Sequence, residues 1–184
     1  MSIKLETERL FLISLGALHC ELLYDFLIRN AEFFKRWSPE YEKDYFEIAF
    51  HLKRLANIEK DTKEGKQIKF GVFIKNDLNK IIGTVSFANI IKGPFLSCFL
   101  GYRTDEKENG KGYTTESIKR GIKYVFDEIK LHRIEANIIP VNTASIRVVE
   151  KLGFKLEGYS RNYLQINGKW EDHLHYVLLN EPVS

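Results

Sequence analysis

The chain has 184 residues, 44% of them hydrophobic and 29% charged, with a formal net charge of +3. This describes one globular domain over residues 1–184, with a core at about 6–179, and excludes a disordered or low-complexity chain. So mild a charge does not describe a dedicated nucleic-acid binder; without a signal-peptide core or an apolar run of about 18 residues, a cytoplasmic protein with no membrane partner is expected.

Arg9–Ile13 reads as a short strand, and Leu18–Phe34 as a helix with Leu22, Leu23, Phe26 and Leu27 at helical spacing. Trp37-Ser38-Pro39 ends that helix, because the proline pushes Ser38 toward extended geometry. A second helix is predicted from about Tyr41 to Thr62. Ile68, Phe70, Val72 and Ile74 then alternate as one strand face, and further strands cover Ile81–Ile90 and Phe95–Tyr102. Past a glycine-rich turn, Ile118, Ile122, Val125, Phe126 and Ile129 mark an amphipathic helix. Arg133–Ile138 is a strand and Asn142–Leu152 a helix closed by Gly153. Two final strands flank Asn167-Gly168, a strong hairpin signal. The order β, α, α, β, β, β, α, β, α, β, β predicts an α/β (α+β) fold, a mixed and mainly antiparallel sheet of about seven strands with about four helices on its faces. Cys20 and Cys98 lack metal-type spacing and read as buried reduced thiols, so no metal is expected.

The chemistry centres on Asn109-Gly110-Lys111-Gly112-Tyr113-Thr114. Two glycines let the backbone turn sharply, and the helix start behind them adds free amides and a positive dipole end. That is an anion cradle suited to a phosphate or pyrophosphate, where the bland alternative is an ordinary strand-to-helix loop.

Strand, glycine-rich turn and helix, followed by strand, asparagine, helix and Leu152-Gly153-Phe154, resemble the GNAT acyltransferase superfamily. Within it the chain is similar to the RimJ/RimL branch of protein N-α-acetyltransferases, from Glu6-Thr7-Glu8-Arg9-Leu10 to the last strand. Leu100-Gly101-Tyr102, His132-Arg133-Ile134 and the run Tyr163–Trp170 followed by Asp172-His173 point toward its RimJ-type members, which acetylate an N-terminal alanine of a small-subunit ribosomal protein. The resemblance implies splayed central strands, acetyl-CoA as co-substrate, and direct attack by the acceptor amine. Leu100 and Tyr102 would offer backbone groups to the pantetheine arm, residues 109–114 would hold the phosphates, and Asn142 would face the cofactor or cap its helix. Asn109 and Thr114 depart from the family's phosphate loop, and Asn109 supplies no cation. Lys111 and Arg147 meet the nucleotide phosphates or are solvated.

The glutamate base expected of RimL-type relatives falls on Phe99, and the tyrosine acid common in the superfamily falls on Val149. Ser145 matches a proposed serine acid, against the plain alternative of a polar residue in the first helical turn. His173 is the other candidate base, or a structural or peptide-binding residue. Trp37 and Tyr41, opposite Tyr163 and Trp170, would wall a peptide groove near Asp172. The acceptor is then a protein N-terminus; alternatives are a small amine such as a polyamine or antibiotic, or a non-catalytic acyl-CoA-binding or ribosome-assembly protein. By analogy with relatives, a homodimer is possible.

Overall fold

The computed structural model describes residues 2–180. Strands β1 (Lys4–Glu6) and β2 (Leu10–Ser14) precede helices α1 (Cys20–Arg29), α2 (Ala31–Lys35) and α3 (Ile48–Lys63). Strands β3 (Ile68–Ile74), β4 (Gly83–Ile91) and β5 (Ser97–Thr104) follow, then α4 (Tyr113–Asp127), β6 (Arg133–Ile138), α5 (Thr143–Lys151), β7 (Lys155–Ile166) and β8 (Lys169–Leu179). They form one eight-stranded sheet in the order β1-β2-β3-β4-β5-β6-β8-β7.

Alternation along the strands sends side chains to two faces, and each face has its own core. On one, Phe70, Val85, Phe87 and Ile134 bury against Ile118 and Val125 of α4 and Val149 of α5. On the other, Phe73 packs with Leu23, Phe26 and Leu27 of α1 and Leu55 of α3. Phe26, Phe70 and Phe87 are wholly buried, and burial of this kind contributes about 1.5–3 kcal/mol for each side chain. Cys20 and Cys98 are free and buried, and burial pushes the Cys98 thiol up to about 12.

One junction in the sheet positions everything else. β5 and β6 run parallel and pair only from Ser97 with Arg133 to Phe99 with Glu135. Beyond that point β5 stays bonded to β4 as far as Thr104, and β6 stays bonded to β8 as far as Ile138. The two halves of the sheet therefore part, leaving Gly101 on one bank of the gap and Asn137 on the other.

Three elements differ from the sequence expectation. The three-residue β1 adds an eighth strand, too short to show alternation. The first helix breaks at Asn30, whose side chain donates to the Phe26 carbonyl and accepts the Glu106 N–H at 3.0 Å. The predicted second helix begins at Ile48, not Tyr41, because its leading aromatics fold into a knot. Tyr41 stacks on Tyr45 with centroids 4.1 Å apart and donates to the Ala31 carbonyl, while Tyr24 donates to that of Phe46.

Candidate active site

The glycine turn connects β5 to α4. Gly110 and Gly112 have φ of +79° and +82°, the left-handed region that side chains resist. Gly112 is the N-cap of α4, with no side chain covering the helix end. The first amide of α4 to bond back is that of Glu116, onto the Gly112 carbonyl at 3.1 Å, so the amides of 113–115 lie outside the helix ladder.

The charges around the turn are consumed locally. Lys111 Nζ pairs with Glu108 at 2.7 Å. Arg9, which the sequence reading passed over, donates to the Lys111 carbonyl at 3.0 Å, pairs with Glu116 at 2.6 Å and lies over the Tyr113 ring. Glu116 also accepts from Thr7 and from the Arg9 amide. Burial works against its charge, and these donors outweigh it, holding the carboxyl below the usual glutamate range. A guanidinium thus stands at Gly112 although Asn109 brings none. Thr114 turns its hydroxyl to Thr104 at 2.6 Å and leaves the loop to backbone amides.

At the gap, Leu100 is buried and Tyr102 half-buried, and the Tyr102 hydroxyl donates to the Ser145 carbonyl at 3.2 Å, bridging β5 to α5. Burial pushes the phenol up to about 12. Asn142 caps α5 by accepting the Ser145 amide at 3.2 Å. Ser145 is therefore tied at both backbone groups at the gap's edge.

The opposite face of the gap carries a polar network. His175 Nδ1 lies 2.7 Å from Asn137 Oδ1 and 3.2 Å from Glu135 Oε1, and its Nε2 lies 2.8 Å from the Ser160 hydroxyl. Asn137 donates onward to the Tyr163 hydroxyl at 3.1 Å. The arrangement is consistent with a proton on Nδ1, aimed at two acceptors, and with Nε2 accepting from Ser160. Such a histidine has Glu135 and Asn137 between it and the gap, with Ser160 behind it toward the edge of the sheet. Glu135 is the register partner of Phe99, so a carboxylate does stand at the apex of the gap, one strand away from the expected position.

His173, in contrast, is buried with Nδ1 3.0 Å from the Glu171 carbonyl, packed against Tyr163. Asp172 accepts from the Tyr159 hydroxyl and the Asn162 amide, which fastens the irregular stretch of β7. Trp37 is half-buried with Arg36 stacked on it, and Tyr41 is spent on the aromatic knot. Trp170 is exposed on the hairpin. The sequence marked Ser38 only as the end of a helix, yet it is buried and joins three segments: its hydroxyl accepts from Arg103 and its carbonyl from the Asn167 amide.

Beside the network, between the sheet and helices α1 and α3, lies a cavity of about 290 Å³. Its floor is Leu23, Leu27, Leu55 and Ile58, and it reaches Gly101 and Tyr102 at the gap. Its charged lining is Arg54, Lys69 and Arg103, with His51 and no carboxylate. Burial, helped by Arg103 and Arg54, pushes the Lys69 ammonium down to about 7.

The acetyltransferase (GNAT) domain family matches residues 9–155. The chain is 40% identical to the probable N-acetyltransferase YjcK of Bacillus subtilis, over 82% of this chain and 83% of that one. It is 34% identical to the ribosomal protein uS5-alanine N-acetyltransferase of Escherichia coli, over 94% and 88%. The crystal structure of the ribosomal-protein-S5-alanine acetyltransferase of Vibrio fischeri superposes with a TM-score of 0.92 at 32% identity, covering 97% of each chain. Mycobacterium smegmatis RimJ, solved in complex with CoA-disulfide, has the same fold, with a TM-score of 0.88 at 22% identity, over 97% and 87%. A sheet that parts between two parallel strands beside a glycine turn, and a match over most of the sequence, agree: the chain belongs to the GNAT family of N-acetyltransferases.

Proposed function

We propose that the donor is acetyl-CoA and the acceptor the α-amine of a protein N-terminus, specifically a small-subunit ribosomal protein beginning with alanine. The observation that carries this reading is the near-full-length likeness to the E. coli enzyme named for that activity. The resulting reading is of a cytoplasmic enzyme; among the described residues no helix is long and apolar enough to cross a membrane.

In this reading the free amides of 113–115 and the left-handed Gly110 and Gly112 hold the phosphates. The thioester reaches the gap along β5 at Leu100–Tyr102. The amine nitrogen enters from the opposite face, forms its bond to the acyl carbon, and the carbon–sulfur bond breaks. The amine proton goes to the Glu135–His175 pair on the β6 bank of the gap, and the Ser145 hydroxyl gives its proton to the departing thiolate. An α-amine suits so mild a base. Neutralising it at pH 7 costs about 1.1 kcal/mol, against about 4.6 for a lysine side chain. A cationic amine is a poorer acceptor, because the cavity at the gap is lined by cations.

The test is intact-mass analysis of small-subunit ribosomal proteins incubated with enzyme and acetyl-CoA. One acetyl group on one protein, mapped to its N-terminal residue, is the expected result. Acetylation confined to internal lysines or to free polyamines overturns the reading.

A further inference from the structure

Arg54, Lys69 and Arg103 come from three separate elements, α3, β3 and β5, and converge on one cavity. Among the described residues none of the three makes an ion pair. Arg54 lies over the Phe50 ring, while Arg103 lies over Phe34 and donates to Ser38. At the glycine turn and beside Asp105, by contrast, converging cations meet carboxylates at short range, Lys111 with Glu108 and Arg29 with Asp105. Three like charges around one cavity oppose one another, and the two less exposed, Lys69 and Arg103, also lose solvation, so the free protein is destabilised by them. An entering anion reverses both effects.

We propose that this cavity receives a carboxylate of the acceptor, an acidic side chain within the first few residues behind the acetylated amine. The inference rests on the N-terminal peptide reading above. The cavity reaches Gly101 and Tyr102, so an anion held there leaves the amine only a short stretch of chain away from the gap. Its apolar floor of Leu23, Leu27, Leu55 and Ile58 accommodates the methylenes of a glutamate. Thr84 lines the sheet side, where the Ser86 hydroxyl donates to the Gly101 carbonyl at 3.1 Å. The state of Lys69 supplies an independent signature. The groups facing it are His51 and Arg54 from α3, Thr84 and Ser86 from β4, and Tyr102 and Arg103 from β5. With no acid among them, its proton is held weakly, and a bound carboxylate strengthens that hold.

The experiment compares kcat/KM for matched peptides that begin with alanine and carry Glu, Gln or Lys at one of the next positions. The native chain is expected to favour Glu over Gln by about tenfold, with the ratio shrinking as pH rises above 7 and Lys69 loses its proton. In Arg54→Met the ratio falls toward one, and in Arg54→Glu the Lys peptide overtakes the Glu peptide. Arg54 is exposed on its helix, and thermal unfolding of both variants checks that the fold is intact. Equal turnover of all three peptides by the native chain overturns the inference and leaves N-terminal acetylation standing. If no peptide is acetylated and O-phosphoethanolamine is, the peptide reading and the proposal both fall, and the cavity is a phosphate site.

Discussion

Two regions of this protein are suited to negative charge, and they are built in opposite ways. At the glycine turn the donors are backbone amides, and the side-chain charges nearby are already spent on one another: Lys111 on Glu108, and Arg9 on Glu116. In the cavity under α1 and α3 the donors are side chains, and Arg54, Lys69 and Arg103 meet no carboxylate there. Backbone amides hold an anion in a fixed geometry and need little else, so their site is stable when empty. Converging cations are costly when empty, so the fold tolerates them where a partner is to arrive.

The largest way to disturb the comparison is to unpair a charge that the fold has already matched. Asp105 lies at the start of the turn leading to the glycines, buried, accepting Arg29 Nε at 2.9 Å and the Lys107 amide at 3.1 Å. Burial opposes its charge, but Arg29, that amide and Lys80 together hold the carboxyl below its ordinary value. The ion pair therefore stabilises the fold above the ordinary aspartate range, and the contribution is lost as pH falls through the lowered value. Asp105→Asn is expected to destabilise by about 3 kcal/mol in neutral urea titrations, with the deficit shrinking in acid.

His175→Gln tests the proton route on the cavity side of the gap. A loss of about a hundredfold in kcat/KM is expected, with the acetyl-CoA affinity preserved. An unchanged kcat/KM would move the proton elsewhere. Gly112→Ala attacks the backbone-built site alone. Its φ of +82° and the Arg9 guanidinium 3.4 Å from the position of a new Cβ predict about 1 kcal/mol of strain. Acetyl-CoA should bind about tenfold more weakly by calorimetry, while peptide preference stays as it was.

The smallest effect has the opposite sign. Lys69→Met should stabilise the free protein by about 1 kcal/mol, seen as a rise of about 2–4 °C in Tm. Because the Lys69 value is lowered from 10.5 to about 7, the unfolded chain holds that proton more tightly. The penalty is complete below pH 7 and fades as pH climbs to 10.5, so the gain on substitution should fade the same way. A destabilised variant would mean that Lys69 is matched, and the contrast between the two sites would fail.

Residues close in the chain were readable without the fold. Gly110 and Gly112 announced their turn because few other residues take a left-handed backbone cheaply, and Asn167-Gly168 announced its hairpin, with φ of +46° and +79°, for the same reason. Asn142 announced the cap of α5 through its place one residue ahead of the helix. These are local rules, so the sequence by itself determined the turn, the hairpin, most of the strands and the amphipathic helices.

The acceptor side obeyed no local rule. Lys69 and Arg103 lie on strands that do not touch, with β4 between them, and neither position looks unusual along its own strand. His175, Asn137, Glu135 and Ser160 meet because β6 and β7 both pair with β8, one on each side. His173, which shares an alternating face with His175, was the candidate base, yet it is buried against Tyr163, and the carboxylate lies beside its neighbour two residues on. The same holds for the aromatic knot of Tyr41 and Tyr45, where helical spacing was present but tertiary stacking won. Only the tertiary structure decided which charges found partners, because whether a charge is matched depends on distances across strands and helices that the order of residues does not encode.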